Sequence, residues 1–284
     1  MTTDKNSTAS PMDRSGGYDQ HNFVAEFYDH VVPYRQRQDV AFFVDLARES
    51  GGPVLELACG TGRVLLPTAR AGLEIVGLDI SQRMLAICRR KLAAEPAEVR
   101  ARVELHHADI CDFNLNRKFT LATLPFRPFQ HLLTVEDQLA CLNTVRHHLQ
   151  GNGRIVLDLF NPSLPLMVDR KYLDEFGEEP EFTMPDGRRV VRRHKSVKRD
   201  YADQLLHGEI IYYVTHPDGR GERLVHAYKM RYLFRYEVEH LLARCGFELE
   251  HVYADYDKSP YGSKYPGELL FVARKSVAQP PSAV

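Results

Sequence analysis

The run Val54-Leu55-Glu56-Leu57-Ala58-Cys59-Gly60-Thr61-Gly62-Arg63 constrains this chain more than any other segment. A short apolar strand enters a loop of small residues, and a helix follows. Glycine is needed where a turn of this kind takes left-handed backbone angles or brings the main chain close to a ligand. The run therefore predicts a strand-loop-helix unit that cradles a nucleotide-like ligand. The dinucleotide fingerprint G-x-G-x-x-G would need a third glycine at position 65, where Leu65 stands.

The surrounding pattern makes this unit part of an α/β domain. Apolar runs predict strands at 53–57, 74–78, 103–106, 119–124 and 154–159, separated by helical segments or loops of moderate length. Such alternation implies a Rossmann-like, doubly wound and mostly parallel sheet of seven strands, with ligands beyond the carboxyl ends of the strands. Upstream, Phe23, Phe27 and Val31, then Val40, Phe43, Val44 and Leu46, predict two helices interrupted near Pro33. After Phe160 three β-rich runs, near 188–197, 204–214 and 223–234, are punctuated by two Pro-Asp-Gly turns and predict an antiparallel three-stranded insert after the fifth core strand. A helix at 236–244, closed by Cys245-Gly246, and strands near 247–254 and 268–273 complete the core. The expected organisation is a disordered tail over 1–20, N-terminal helices and ligand-binding core over 21–160, the insert or lid over 161–233, core completion over 234–275 and a tail over 276–284.

Composition excludes several classes of function. Lys plus Arg (37) and Asp plus Glu (38) nearly cancel to a net charge of -1, so no overall field draws the chain to nucleic acid or an anionic membrane. Five scattered cysteines without a CxxC pair argue against a disulfide framework or a zinc knuckle, and His106-His107 and His147-His148 lack the spacing of a metal site, so no metal is expected. The polar N-terminus lacks a secretory h-region and no long apolar run occurs, which predicts a cytoplasmic protein with no membrane partner. The run Arg188-Arg189-Val190-Val191-Arg192-Arg193-His194-Lys195 could track phosphates, but on a strand its charges fall on both faces. A solvated or anion-binding lid is the favoured reading and RNA or DNA binding the alternative. The insert would serve equally well as a lid or as a homodimer surface.

The acids around the loop indicate which ligand it takes. A carboxylate at Glu56, on the entering strand, would repel a pyrophosphate and favours the ammonium and sulfonium of S-adenosylmethionine. Asp79 ends the second strand, where a carboxylate can accept hydrogen bonds from both ribose hydroxyls. Asp109 and Ile110, after the third strand, supply an acid for an adenine amino group and an apolar contact for its face. With Glu56 to Gly62, Asp79 and Asp109 in this order and spacing, the sequence resembles the class I S-adenosylmethionine-dependent methyltransferases. The N-terminal helices, the insert and the closure from Phe234 to Phe247 are similar to the small-molecule branch that includes amino-sugar N-methyltransferases and glycine N-methyltransferase. The likeness covers about residues 20 to 275.

That resemblance implies a methyltransferase of EC 2.1.1 type, with S-adenosylmethionine as cofactor and S-adenosylhomocysteine as product. The acceptor would be an N or O nucleophile of a small molecule, attacked in line. The cofactor would be held by Tyr28, Glu56, Ala58, Gly60, Gly62, Arg63, Asp79, Ile80, Met84, Asp109, Ile110 and Leu124, with Arg37 or Arg63 meeting its carboxylate. After the fourth strand, Leu124-Pro125-Phe126-Arg127-Pro128-Phe129-Gln130-His131 joins two prolines, two aromatics, a cation, an amide and an imidazole, and His131 has the ordinary pKa best suited to a general base. Tyr34, Arg127 and Gln130 are the expected acceptor contacts. The Asn/Asp-Pro-Pro-aromatic motif of amine-directed DNA methyltransferases is missing from this position.

Overall fold

The computed structural model describes residues 14–276. The expected tail before residue 14 and all but Ser276 of the tail over 276–284 lie outside the described residues. Strands β1 (Val54–Leu57), β2 (Ile75–Asp79), β3 (Val103–His107), β4 (Phe119–Leu124) and β5 (Leu149–Phe160) run parallel, and β10 (Phe247–Tyr253) and β11 (Glu268–Lys275) join β5 in antiparallel pairing. The sheet order is β10-β11-β5-β4-β1-β2-β3. The order reverses between β1 and β4, paired from Val54 with Leu121 to Glu56 with Thr123. The loops leaving these two strands diverge there and open a crevice, the usual place for a ligand in such sheets.

Period-two alternation sends neighbouring strand residues into two separate cores. Leu55, Leu57, Ala122, Leu124, Ile155 and Leu157 pack on one face, against α7 (Val135–His148) and α9 (Arg235–Arg244). Val54, Ile75, Leu121 and Val156 pack on the other, against α3 (Asp39–Ser50), α4 (Leu65–Arg70) and α5 (Gln82–Ala93). Leu65, in place of a third loop glycine, is fully buried, and Gly77 on β2 makes room for it: a Cβ there would meet Leu65 Cδ1 at 2.3 Å. The close helix-strand packing that a glycine supplies in dinucleotide folds is thus supplied here from the strand.

Among the described residues of the N-terminal region three helices stand where two were expected: α1 (Asn22–Tyr28), α2 (Val32–Arg35) and α3. Pro33 opens the short α2 rather than breaking a longer helix, since an N–H in the first turn has no helical partner to lose. The insert has four strands rather than three, in antiparallel order β6 (Phe182–Thr183), β7 (Arg189–Asp200), β8 (Leu205–Thr215) and β9 (Gly221–Arg231). Two residues are too few for β6 to show alternation in the sequence. Between β5 and the insert lie α8 (Leu164–Val168) and a 3-10 turn, and α6 (Ala97–Arg100) precedes β3. The insert packs Phe182, Val190, Ile210 and Val214 against Phe27 and Val31, so it roofs the crevice from the N-terminal side.

Residues 14–20, expected within the disordered tail, are packed. Their few apolar atoms did not predict this, because their anchors are glycines, one tyrosine and charge pairs supplied from distant parts of the chain. Among the described residues no helix is long and apolar enough to cross a membrane. All five cysteines are free and buried.

Candidate active site

The glycine loop forms as its composition demands. Ala58, Gly60 and Gly62 take φ angles of 55°, 55° and 80°. At Gly62 a side chain is excluded twice, by the left-handed φ and by Cys88 Sγ, which a Cβ would approach to 2.7 Å. Asp79 braces the loop: Gly60 N–H donates to Oδ2 and Ser81 N–H to Oδ1, each at 2.7 Å. Each carboxylate oxygen keeps a further lone pair. Burial raises the Asp79 carboxyl to about 6, against the pull of these two backbone donors.

Beneath the loop, Glu56 is 2% exposed and its Oε2 has no partner. Burial drives its carboxyl up to about 8, opposed by Arg63 and assisted by Asp39. The carboxyl accepts from the Leu65 backbone, and its unpartnered Oε2 is a place where a ligand ammonium would relieve a desolvation cost. The loop, the brace and the unpartnered Glu56 oxygen fit S-adenosylmethionine.

Two cavities meet at the crevice. The smaller, about 80 Å3, lies over the loop and is lined by Tyr28, Ala58, Gly60, Asp79, Ile80 and Met84, six of the residues expected to hold the cofactor. The larger, about 410 Å3, lies beneath the insert and takes in Tyr34, Arg37 and Arg127. Tyr18, Phe126 and His131 line both. A group transferred between occupants of the two cavities would pass these three side chains.

The loop after β4 makes this junction stiff. Phe126 and Arg127 both take positive φ, 65° and 73°, which costs roughly 1–2 kcal/mol for each non-glycine residue. Phe126 N–H is held by Asp158 Oδ2 at 2.8 Å, and Tyr256 donates to the same oxygen at 2.9 Å. Asp158 is fully buried. His131 Nδ1 lies 2.9 Å from the Lys229 carbonyl, which can only accept, so Nδ1 carries the proton and Nε2 the free lone pair. Burial holds the His131 pKa below the ordinary histidine value. A neutral imidazole with an unprotonated Nε2 beside the junction can accept a proton.

Other expected residues support the cavities from behind or stand apart from them. Arg63 is gripped by Asp39 through two hydrogen bonds of 2.7 and 2.6 Å. Arg37 is shared among Asp39, Asp158 and Glu268. Arg127 pairs with Glu268 at 3.2 Å. Gly62 faces Cys88, and Ile110 and Leu124 belong to the hydrophobic core. Asp109 accepts from Arg14 at 2.5 Å. Gln130 is fully buried with its amide spent on the Phe160 main chain and the Arg231 carbonyl, so it ties β5 to the end of β9 and does not line the larger cavity. A glutamine in a loop gives no sequence sign of whether it faces a ligand or two carbonyls.

Sequence reasoning missed Arg14, Tyr18, Asp39, Asp158, Glu179, Arg192 and His226. Each acts through a partner distant in sequence, and no local motif marks it. Arg192 is 1% exposed, forked onto both oxygens of Glu179 at 2.8 Å and stacked over Tyr34 with its guanidinium 4.6 Å from the ring centre. The rest of the basic run is answered in the same way. Arg188 meets Glu26 and Asp186, Arg189 meets Glu181, Arg193 meets Glu178, and His194 meets Glu179. The acidic stretch Glu178-Glu179-Pro180-Glu181 therefore neutralises most of a strand that could otherwise have tracked phosphates. Among the described residues no group of three or more His, Cys, Asp or Glu is placed to hold a metal ion.

Residues 54–153 match the family model described as a methyltransferase domain. The dTDP-3-amino-3,6-dideoxy-alpha-D-glucopyranose N,N-dimethyltransferase of Streptomyces fradiae is 33% identical over 141 residues, 48% of this chain and 52% of that protein, so the match spans about half of the relative's length. Among solved structures, the CcbJ methyltransferase from Streptomyces caelestis shares the fold with a TM-score of 0.71 at 23% identity, over 93% of this chain and 99% of that one. The glycopeptide N-methyltransferase MtfA, solved with S-adenosylmethionine, is 25% identical with a TM-score of 0.54, over 81% of this chain and 86% of its own. With the glycine loop, the acids of β1 and β2 and the sheet order already described, the chain is similar to S-adenosylmethionine-dependent methyltransferases, and the methyltransferase domain model covers the part that holds the loop.

Proposed function

We propose that this chain transfers the methyl group of S-adenosylmethionine to an amine of a small sugar-like acceptor held in the cavity beneath the insert, with His131 as general base. The observation that carries this reading is the junction itself: a cavity over the glycine loop and a larger one under the insert share the wall formed by Tyr18, Phe126 and His131. S-adenosylmethionine supplies an electrophilic methyl group on a sulfonium. The chain supplies the rest. Glu56 offers a buried carboxylate to a cationic partner, Asp79 presents its free lone pairs beside the loop, and the strained Phe126-Arg127 turn holds the two cavities in register. His131 Nε2 takes the proton that a neutral or hydroxyl nucleophile gives up or, for an ammonium, the proton that must leave before the lone pair can attack. Alignment provides most of the acceleration in such a displacement.

A nitrogen acceptor is favoured by the amino-sugar N,N-dimethyltransferase relative. A nucleic-acid acceptor finds no support in a basic strand whose arginines are paired with Glu26, Glu178, Glu179, Glu181 and Asp186. The test is calorimetric titration with S-adenosylhomocysteine followed by methyl transfer to a panel of amino sugars, free and nucleotide-linked. The wild type should bind the cofactor product and Asp79→Ala should lose about a hundredfold in affinity, as two charge-assisted hydrogen bonds of about 1.5 kcal/mol each would predict. Equal binding by the wild type and Asp79→Ala, or transfer to RNA and to no amino sugar, would overturn the assignment.

A further inference from the structure

The larger cavity joins an apolar surface to a set of charges that already answer one another. The insert turns one face of its sheet to the cavity, with the cross-strand neighbours Leu206 and Met230 in one row and Ser196, Gly208 and Tyr228 in the next. Gly208 is required there by close approach, since a Cβ would meet the Tyr228 ring at 2.4 Å. With no side chain in the way, the ring lies across β8 and makes an aromatic platform. Phe160, at the end of β5, packs in the same apolar cluster as Leu206 and Met230, and Leu166 of α8 adds to the wall.

The cations of this cavity are engaged within the chain. Arg37 is held by Asp39, Asp158 and Glu268, Arg127 by Glu268, and Arg192 and His194 by Glu179. Arg192, at 1% exposure, is also too deeply buried to meet an occupant. Among the described residues Lys195 is the one lysine or arginine of the lining without an acidic partner. A nucleotide-linked sugar brings a doubly charged diphosphate, whose burial is unfavourable unless cations receive it, and Glu179 and Glu268 would repel it. The cavity, at about 410 Å3, is of the size that encloses a drug-sized ligand, so a single sugar ring leaves apolar wall uncovered.

We propose that the acceptor is an amine whose sugar-like ring is joined to an apolar aryl or alkyl body and carries no nucleotide. The amine lies at the junction of the two cavities, and the apolar body covers the Tyr228 platform and the Leu206-Met230 row. Gly208 and Tyr228 then select which acceptors fit. This deepens the reading of the larger cavity as the acceptor site and rests on it.

The test uses the full chain loaded with S-adenosylhomocysteine and the fluorescent apolar amine N-phenyl-1-naphthylamine, whose emission rises in an apolar site. The probe should bind with a dissociation constant of about 1–10 μM. Phenyl glucosaminide should displace it about tenfold better than glucosamine does, because of the extra apolar area buried. Thymidine diphosphate and a thymidine-diphosphate-linked amino sugar should leave it in place. Gly208→Val, which drives the Tyr228 ring off β8, and Leu206→Gln, which makes the wall polar, should each weaken the probe about five- to tenfold. Both variants should bind S-adenosylhomocysteine as the wild type does. Displacement by thymidine diphosphate, equal displacement by the two glucosamine compounds, or a probe affinity unchanged in both variants overturns the apolar acceptor while leaving the acceptor cavity standing. If calorimetry finds that neither the probe nor any of these sugars binds the loaded protein, the reading of this cavity as the acceptor site falls as well.

Discussion

His131 carries the catalytic part of the proposal, and its environment makes that part measurable. The Lys229 carbonyl sets the tautomer and leaves the lone pair on Nε2, facing Gly16, and burial holds the pKa below the ordinary histidine value. His131→Ala should lower kcat by about a hundred- to a thousandfold, the usual contribution of a positioned base, and leave the dissociation constant for S-adenosylhomocysteine unchanged. In the wild type the acid limb of kcat against pH should lie below the ordinary histidine value, and it should vanish in the variant. Full turnover by His131→Ala would remove it as base. The sequence identified this imidazole through its place after the fourth strand. It could not show the Lys229 carbonyl that fixes the proton, because that atom arrives from β9, 98 residues on.

Among the elements, the turn from β1 into α4 was legible almost whole, because left-handed loops leave few residue types to choose from. Gly62→Ala should destabilise the protein by about 1–3 kcal/mol in urea melts, from the combined left-handed strain and overlap with Cys88 Sγ at 2.7 Å. Adding Cys88→Ala should recover the steric part and leave the strain. The insert was legible as a set of hairpins, yet its basic strand could not be interpreted until its partners were known. Glu179→Gln leaves the buried Arg192 guanidinium without its counter-charge and should cost about 3 kcal/mol, whereas Glu178→Gln, at an exposed pair, should cost under about 1 kcal/mol. Similar losses from both would mean that the Arg192 fork does not anchor the insert. The segment over 14–20 was the element least visible in advance: its seven residues are ordered by His226, Asp109, Asp137 and Ser81, none of which lies nearer than about sixty residues away in sequence.

For the molecule as a whole, two buried groups tilt stability in opposite directions with pH. Glu56 has a native pKa of about 8 against an ordinary 4.5, so its contribution is complete below 4.5 and is lost as pH rises through 8. His226, buried beside Gly16 and close to His131, Arg192 and His21, has a native pKa of about 4 against 6.5. Its contribution is present above 6.5 and is lost as pH falls through 4. Thermal melts of the ligand-free protein should therefore show a loss of at most about 2 kcal/mol between pH 6.5 and 8.5 that Glu56→Gln abolishes, and an acid-side loss that His226→Asn abolishes. An unaltered basic slope in Glu56→Gln would mean that the acid is not buried uncharged.

What the sequence by itself determined was whatever depends on periodicity and on residues that the backbone cannot do without. Alternating apolar runs specified the two-faced parallel sheet, the glycines specified the loop, and acids at the ends of consecutive strands specified the side on which a ligand binds. Only the tertiary structure decided which charges are free to act. Arg63, Arg127 and Gln130 have the chemistry of ligand contacts, yet Asp39, Glu268 and the main chain of Phe160 and Arg231 already hold them. Glu56 Oε2 is left unpartnered, and the Nε2 lone pair of His131 is left to face Gly16. Whether a polar group serves the fold or a ligand depends on what lies within about 3 Å of it, and for these residues that neighbour comes from another part of the chain.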